Sequence, residues 1–366
     1  MKKKILFLSS LPPPYYGASV MSEICFDILK NSPKFEVRSI KINYSEKISD
    51  VGKINFKKIK GIFQVRNRIK ENLEDFRPDL VYFAPATDNL GLIRDHLFIK
   101  QIRKTNIPII FHIHSRMFNK KWNNYLYKKI FDNGKAIVLG KELIFDINRF
   151  VDKENLFVLP NAIKNEVSDK EFRKIVKDRK KREFFNILFL SNMDESKGWF
   201  KLLQACKILK DKKILFNCNF VGAWPSDKEK NKFLEYVRLN GLEKQAIYLG
   251  QKRGNEKEKI IKNSDVLVFP TEYRLETFGV VIIEAMMFGL PVIANSIATI
   301  PSIIVDQKTG FLLKKNNAEE IAQSLEHLIK NKPKRLSMGE YSRKVFLKKF
   351  EINNYKKGLL KILEKA

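Results

Sequence analysis

Residues 265–295 read DVLVFPTEYRLETFGVVIIEAMMFGLPVIAN, and the order strand, loop, helix, tight turn, strand within them decides the fold. Residues 266–269 are a short apolar run with a β-branched bias, as expected of a strand buried on both faces. Pro270 and Thr271 stop it, and a polar loop over residues 272–277 leads into a helix expected at residues 278–288. Gly289 ends that helix, because glycine takes the left-handed conformation of a helix C-terminus without steric cost. Pro291 opens the next strand, residues 292–294.

Two carboxylates in this stretch need a purpose. Glu276 stands in the loop before the helix, where the helix dipole alone would favour an acid. Glu284 lies about two turns further in, among Val281, Ile282, Ile283, Ala285 and Met286, where a carboxylate is costly to bury without a partner. A structural ion pair or a polar ligand would answer, and the ligand is the preferred reading. The amides of Phe278 and Gly279 are expected to be open at the helix start, ready for an anion or a sugar hydroxyl. Two acceptors flanking a set of N–H donors suit a sugar nucleotide.

The same rhythm extends both ways from this stretch. In the second half, strands are expected at residues 186–190, 217–221, 246–249 and 310–312 as well. Lys197 and Gly198, in SNMDESKGWF, follow the first of them. A lysine at that junction, across from Glu276, is placed to neutralise a diphosphate. Gly222 and Gly250 close two further strands, so three loops of this half open at one edge. The segment VLPNAIKNE, residues 158–166, and the very charged helix after it read as a crossing between domains. Residues 337–349 and 352–365 read as two helices with lysine-rich outer faces.

In the first half, strands are expected at residues 5–8, 37–42, 80–83, 109–114, 136–139 and 156–159, with helices near 18–31, 56–74, 90–104, 120–132 and 141–150. The start, MKKKILFLSSLPPP, imitates a secretory signal, but its apolar run is too short and Pro12, Pro13 and Pro14 replace a cleavage region. It reads as a first buried strand. Gly17, in PPPYYGAS, permits close approach of a phosphate or sugar, and an ordinary tight turn is an equal reading. His112 and His114 end a strand in FHIHS, with both side chains on one face. One suits a hydrogen-bonded core histidine, and His114, nearer the loop, suits a ligand crevice at the carboxyl ends of the strands. Arg116 follows closely.

A chain of 366 residues accommodates two domains with full cores. Cys25, Cys206 and Cys218 are few, odd in number and without metal spacing, which fits a reducing cytoplasm. His96, His112, His114 and His327 make no zinc pattern with them. The net charge of +29 is spread along both halves, and lysine greatly outnumbers arginine. Such a surface favours anionic partners. No helix-turn-helix, zinc or aromatic-platform signature supports nucleic acid, and none is expected as a partner. Residues 56–73, FKKIKGIFQVRNRIKENL, mix apolar and basic positions. They read equally as a helix resting on an anionic membrane surface or as a packing helix with a solvated basic face.

Together these residues resemble the family-four retaining glycosyltransferases of the GT-B type, over nearly the whole length. The most specific part is E-x7-E from Glu276 to Glu284, followed by Phe-Gly-Leu-Pro-Val-Ile-Ala. Pro12-Pro13-Pro14 with Gly17, HIHS, Leu159-Pro160-Asn161, Ser196-Lys197-Gly198 and Lys308-Thr309-Gly310-Phe311-Leu312 support it. The opening PPPxxGAS, and PDLVYF followed by LIRD and FHIH, look most like bacterial enzymes of surface-polysaccharide assembly. The resemblance implies an α/β fold of two Rossmann-like domains facing each other across a cleft. Residues 1–165 would bind the acceptor, with a helix near 350–366 packing back on them, and residues 166–349 would bind a nucleotide sugar. It implies that Glu284 holds the ribose hydroxyls and that Glu276 contacts the donor sugar, with Thr277 and the amides of Phe278, Gly279 and Val280. Lys197 would neutralise the diphosphate, and Gln251 and Lys252 would lie at the base. Gly17 and His114 would stand beside the diphosphate and the transferred sugar, so that Glu276, His114 and Lys197 carry the chemistry.

One position departs from the family: Asn192 stands where many members carry an arginine, and Arg116, Arg253 or Arg274 would supply that charge. No D-x-D motif occurs, so no metal and no other cofactor is expected. The expected partners are a nucleotide-sugar donor, with UDP the commoner expectation than GDP, a glycan or lipid-linked glycan acceptor, and an anionic membrane surface. The expected place is the cytoplasm, at the inner face of the plasma membrane. The alternatives are a nucleotide-sugar epimerase or a glycan phosphorylase on the same scaffold, or a basic non-catalytic binding protein.

Overall fold

The computed structural model describes residues 1–13, 17–42, 56–87, 89–117 and 121–366. Pro14 of the PPPYYGAS loop and the side chains of Phe56, Lys57, Lys58 and Ile59 lie outside the described residues. The chain divides into two compact units, Met1–Asn161 with Tyr355–Ala366, and Ala162–Asn354.

The first unit runs β1 (Lys3–Ser9), α1 (Gly17–Lys30), β2 (Phe35–Lys41), α2 (Phe56–Glu71), β3 (Leu80–Phe83), α3 (Asn89–Ile102), β4 (Ile109–Ile113), α4 (Lys121–Phe131), β5 (Lys135–Val138), α5 (Ile144–Ile147) and β6 (Leu156–Val158). Its six parallel strands stand in the order β2-β1-β3-β4-β5-β6. Strands β3 and β4 are buried at every residue, as their unbroken apolar runs require of strands covered on both faces. Helix α2 turns Val65 and Ile69 into the core and leaves Lys60, Arg68 and Lys70 exposed, an arrangement common to both readings of this segment. The helix expected at 141–150 is shorter. Lys141–Leu143 forms a tighter turn and α5 adds a single turn, because only Leu143 and Ile147 of this segment pack inward, too few to propagate a helix.

The second unit runs α6 (Asp169–Lys181), β7 (Phe185–Leu190), α7 (Trp199–Asp211), β8 (Phe216–Val221), α8 (Asp227–Leu239), β9 (Ala246–Gly250), α9 (Gly254–Lys262), β10 (Val266–Phe269), α10 (Val280–Met287), β11 (Val292–Asn295), α11 (Ile300–Ile303), β12 (Gly310–Leu313), α12 (Ala318–Lys330) and α13 (Lys332–Lys349). Six parallel strands stand in the order β12-β11-β10-β7-β8-β9. The chain therefore winds outward from β7 one way and from β10 the other, and a crevice opens between their loops. Trp199, Phe189, Phe220 and Phe233 fill the core on one side of this sheet. The last helix, α14 (Ile352–Lys365), belongs from Tyr355 onward to the first unit. There Lys3 donates to Leu363 O at 3.0 Å, and Lys135 donates to Lys365 O and Ala366 O at 3.1 Å each. Ammonium groups at a helix C-terminus complement its dipole.

Candidate active site

The β7–α7 loop is built to touch the β10–α10 loop. Asp194 accepts from Ser196 N at 2.9 Å and starts a short turn over Glu195–Lys197. Gly198 then takes a left-handed φ of 88° at the head of α7. A Cβ there would stand 2.3 Å from Pro270 O, so glycine is required both by conformation and by contact. Glu272 N donates to Ser196 O at 2.7 Å and joins the two loops. Gly198→Ala is accordingly expected to destabilise the second unit by about 2–4 kcal/mol and to weaken donor binding by moving Lys197. A thermal melt beside a donor titration checks this, and an unchanged melt would show that the loops yield.

The closure of the loops brings the two sequence-predicted groups together. Lys197 Nζ meets Glu276 Oε2 at 2.9 Å, with the side chains 14% and 12% exposed. The same ammonium lies 3.8 Å from the centre of the Tyr273 ring, a favourable cation–π position. Glu276 N donates to Tyr273 O at 2.8 Å, and Thr299 Oγ1 donates to Thr277 O at 2.7 Å, which holds the loop from both ends.

Helix α10 follows Gly279, left-handed with φ 73°; its first turn leaves the amides of Val280 and Val281 without a helical acceptor, while Ile282 N donates to Gly279 O at 2.9 Å. Phe278 and Gly279 are both buried as whole residues. The Phe278 ring packs edge-on against Phe350, with centroids 6.0 Å apart, and pins the helix start. Glu284 has an ionic partner, Lys257 of α9, at 2.7 Å, with the side chains 18% and 28% exposed. The ion-pair reading, less favoured from sequence, thus describes Glu284 in this structure.

Two buried arginines secure the far end of α10. Arg179 donates to Phe288 O at 2.8 Å and Gly289 O at 2.9 Å, and Arg343 donates to Met287 O at 2.9 Å. Lys257, Arg179 and Arg343 were missed from sequence. Each sits in a run of charges, EKEK, KDRKK or YSRKV, that reads as a solvated face. For the two arginines, a guanidinium placed where a helix turns it inward was the signal available.

The remaining candidates are more scattered. Asn192 is exposed in the β7 loop, two residues after its end. Gln251 is exposed, and Lys252 lies 3.5 Å from Glu256. Arg253 and Arg274 are exposed on the second unit. Arg116 belongs to the first unit and is engaged with Asp146 at 3.6 Å.

Gly17 also lies in the first unit. A Cβ on it would meet nothing within 4 Å among the described residues, and its φ is not left-handed. His112 and His114 share a face, with ring centres 4.1 Å apart. His112 is the core member, its Nδ1 2.6 Å from the Tyr82 hydroxyl. His114 is half-buried as a residue, yet both its ring nitrogens are buried without a partner among the described residues. Burial pushes its pKa down to about 4, so it acts as a neutral hydrogen-bonding group at pH 7. Among the described residues no group of three or more His, Cys, Asp and Glu could hold a metal ion, and no helix is long and apolar enough to cross a membrane.

Residues 167–345 match the family described as "Glycosyl transferases group 1". An uncharacterized 41.2 kDa protein in the cps region of Klebsiella pneumoniae is 26% identical over 277 residues, spanning 72% of this chain and 74% of that protein. The putative colanic acid biosynthesis glycosyltransferase WcaL of Escherichia coli is 26% identical over 143 residues, 38% of this chain and 34% of that one. The crystal structure of Anabaena HepE in complex with UDP superposes with a TM-score of 0.75 at 15% identity, covering 100% of both chains. The two parallel sheets with flanking helices are those of the GT-B architecture. The chain is a glycosyltransferase of the GT-B type, and its residues 167–345 are a group 1 glycosyl transferase domain.

Proposed function

We propose that the protein is a retaining, metal-independent glycosyltransferase that moves a sugar from a UDP-sugar to a glycan or lipid-linked glycan in surface-polysaccharide synthesis. The observation that carries this reading is the Lys197–Glu276 pair, 2.9 Å apart at the crevice where the sheet order reverses and beside the start of α10. Breaking a sugar–diphosphate bond requires charge stabilisation of the departing diphosphate and of an oxocarbenium-like sugar. Lys197 and the amides at Gly279 and Val280 serve the first need, and Glu276 takes a sugar hydroxyl. Glu284 receives the ribose, and Gln251 and Lys252 flank the base. Arg116, Arg253 and Arg274, the last on the same loop as Glu276, are the candidates for the second cation. Gly17 and His114 of the first unit are assigned, by the resemblance alone, to the diphosphate and the transferred sugar. No protein nucleophile is assigned, and same-face attack by the acceptor accounts for retention.

UDP as the nucleotide is supported by the UDP complex of HepE, and the polysaccharide role by the name of WcaL. The proposed place is the inner face of the plasma membrane, where the exposed basic residues of α2 and Phe63, 58% exposed, would meet anionic lipid.

A panel of UDP- and GDP-sugars tested by thermal shift decides the donor. The true donor at about a hundred times its Kd should stabilise by ~2.7 kcal/mol, roughly 5–10 °C for a unit of this size. Nuclear magnetic resonance of the product should then show the donor's anomeric configuration. An inverted product, or no shift with any nucleotide sugar, would sink the proposal.

A further inference from the structure

The geometry points to Lys257 as a residue of the donor site: from α9 it holds one oxygen of Glu284 and so aims the carboxylate at the vicinal hydroxyls of a nucleoside ribose. The inference rests on the reading of Glu284 given under Proposed function. Lys257 Nζ donates to Glu284 Oε1 at 2.7 Å, and among the described residues no protein donor is bonded to Oε2. A carboxylate accepts at about four lone-pair sites, so one ammonium bond leaves room for two hydroxyls.

The pair differs from an ordinary surface bridge in its frame. Arg179 donates through Nη1 to Phe288 O and Gly289 O at the end of α10, and through Nη2 to Ile261 O in the last turn of α9, at 3.4 Å. One guanidinium thus ties together the two helices that carry Lys257 and Glu284. The ammonium is also only partly exposed, which limits the solvent screening that makes open pairs nearly worthless. A positioned carboxylate discriminates between a diol and its deoxy analogue, because losing the hydroxyls leaves its lone pairs unmet.

Isothermal titration of the full chain with UDP and 2′,3′-dideoxy-UDP tests this. Wild type should prefer UDP by about tenfold or more, the scale of one or two charge-assisted hydrogen bonds. Lys257→Met should bring the two ligands to within about threefold by weakening UDP alone, and Lys257→Arg should restore most of the preference. Lys257→Gln repeats the test should the methionine variant fold poorly. If Lys257→Met keeps the preference while Glu284→Gln loses it, Lys257 is refuted and the donor reading stands. If Lys257→Met weakens both ligands equally, the pair is only structural and the inference is overturned. Should Glu284→Gln keep the preference, Glu284 does not take the ribose, and the inference falls with that reading.

Discussion

Lys197→Met is expected to lower kcat/KM by about a thousandfold while leaving the second unit folded, the scale seen when one preorganised donor to a developing negative charge is lost. Lys197 is the cation closest to Glu276, and the loops that carry the two groups are bonded to each other at Glu272 N and Ser196 O. The methionine keeps an apolar stem against the Tyr273 ring, so packing is largely retained. What is lost is the charge. It also leaves the half-buried Glu276 unpaired, and Lys197→Met should therefore cost about 1–2 kcal/mol of stability. Adding Glu276→Gln should return most of that stability and none of the activity. A single variant within tenfold of wild type, measured with the best donor, would remove Lys197 from the chemistry.

The ion pair has a second consequence. Lys197 and Glu276 satisfy each other, so on the proposed reading a donor would exchange partners with them, the ammonium turning to the diphosphate and the carboxylate to a sugar hydroxyl. Tyr273 would ease that exchange, since its ring also lies within cation–π distance of the ammonium. Charges held in place before binding need little reorganisation when the bond breaks, which is where such sites gain their advantage over water.

Much of this was legible from residue order alone. Strand β10 falls where its apolar run lies, and Gly289 ends α10 in the left-handed conformation, with φ 66°. Lys197 opposite Glu276 followed from two loops at one sheet edge. These are local properties: burial on both faces fixes composition, and positive φ selects glycine. What escaped depends on tertiary partners. Glu284 looked like a carboxylate in need of a ligand because its ionic partner lies 27 residues away on another helix. The contact of the Phe278 ring with Phe350 escaped because nothing in its own loop announces it. Arg179 and Arg343 escaped for a related reason, since the charge of their segments is real for the residues that face water and says nothing about the one turned inward.

Arg179→Met is the substitution expected to cost the fold most, about 3–5 kcal/mol, which for a unit of this size lowers its melting transition by roughly 10 °C or more. Arg179 is buried, and burial pushes its pKa down to about 10, so it remains charged at pH 7. Its guanidinium answers carbonyls at the ends of two helices, where the partial negative charge of each helix gathers, and this compensates an otherwise costly buried cation. Methionine fills most of the volume but donates nothing, leaving Phe288 O, Gly289 O and Ile261 O inside the protein without that donor. Each such carbonyl costs about 1–3 kcal/mol, less whatever water or relaxation recovers. Arg179→Lys should recover only part, since one ammonium cannot match the planar fork that reaches both helices. Because Arg179 also fixes α10, the folded fraction of Arg179→Met should bind donor more weakly with kcat less affected. A melt within about 2 °C of wild type would mean less than about 1 kcal/mol is lost and that the helix ends find other donors.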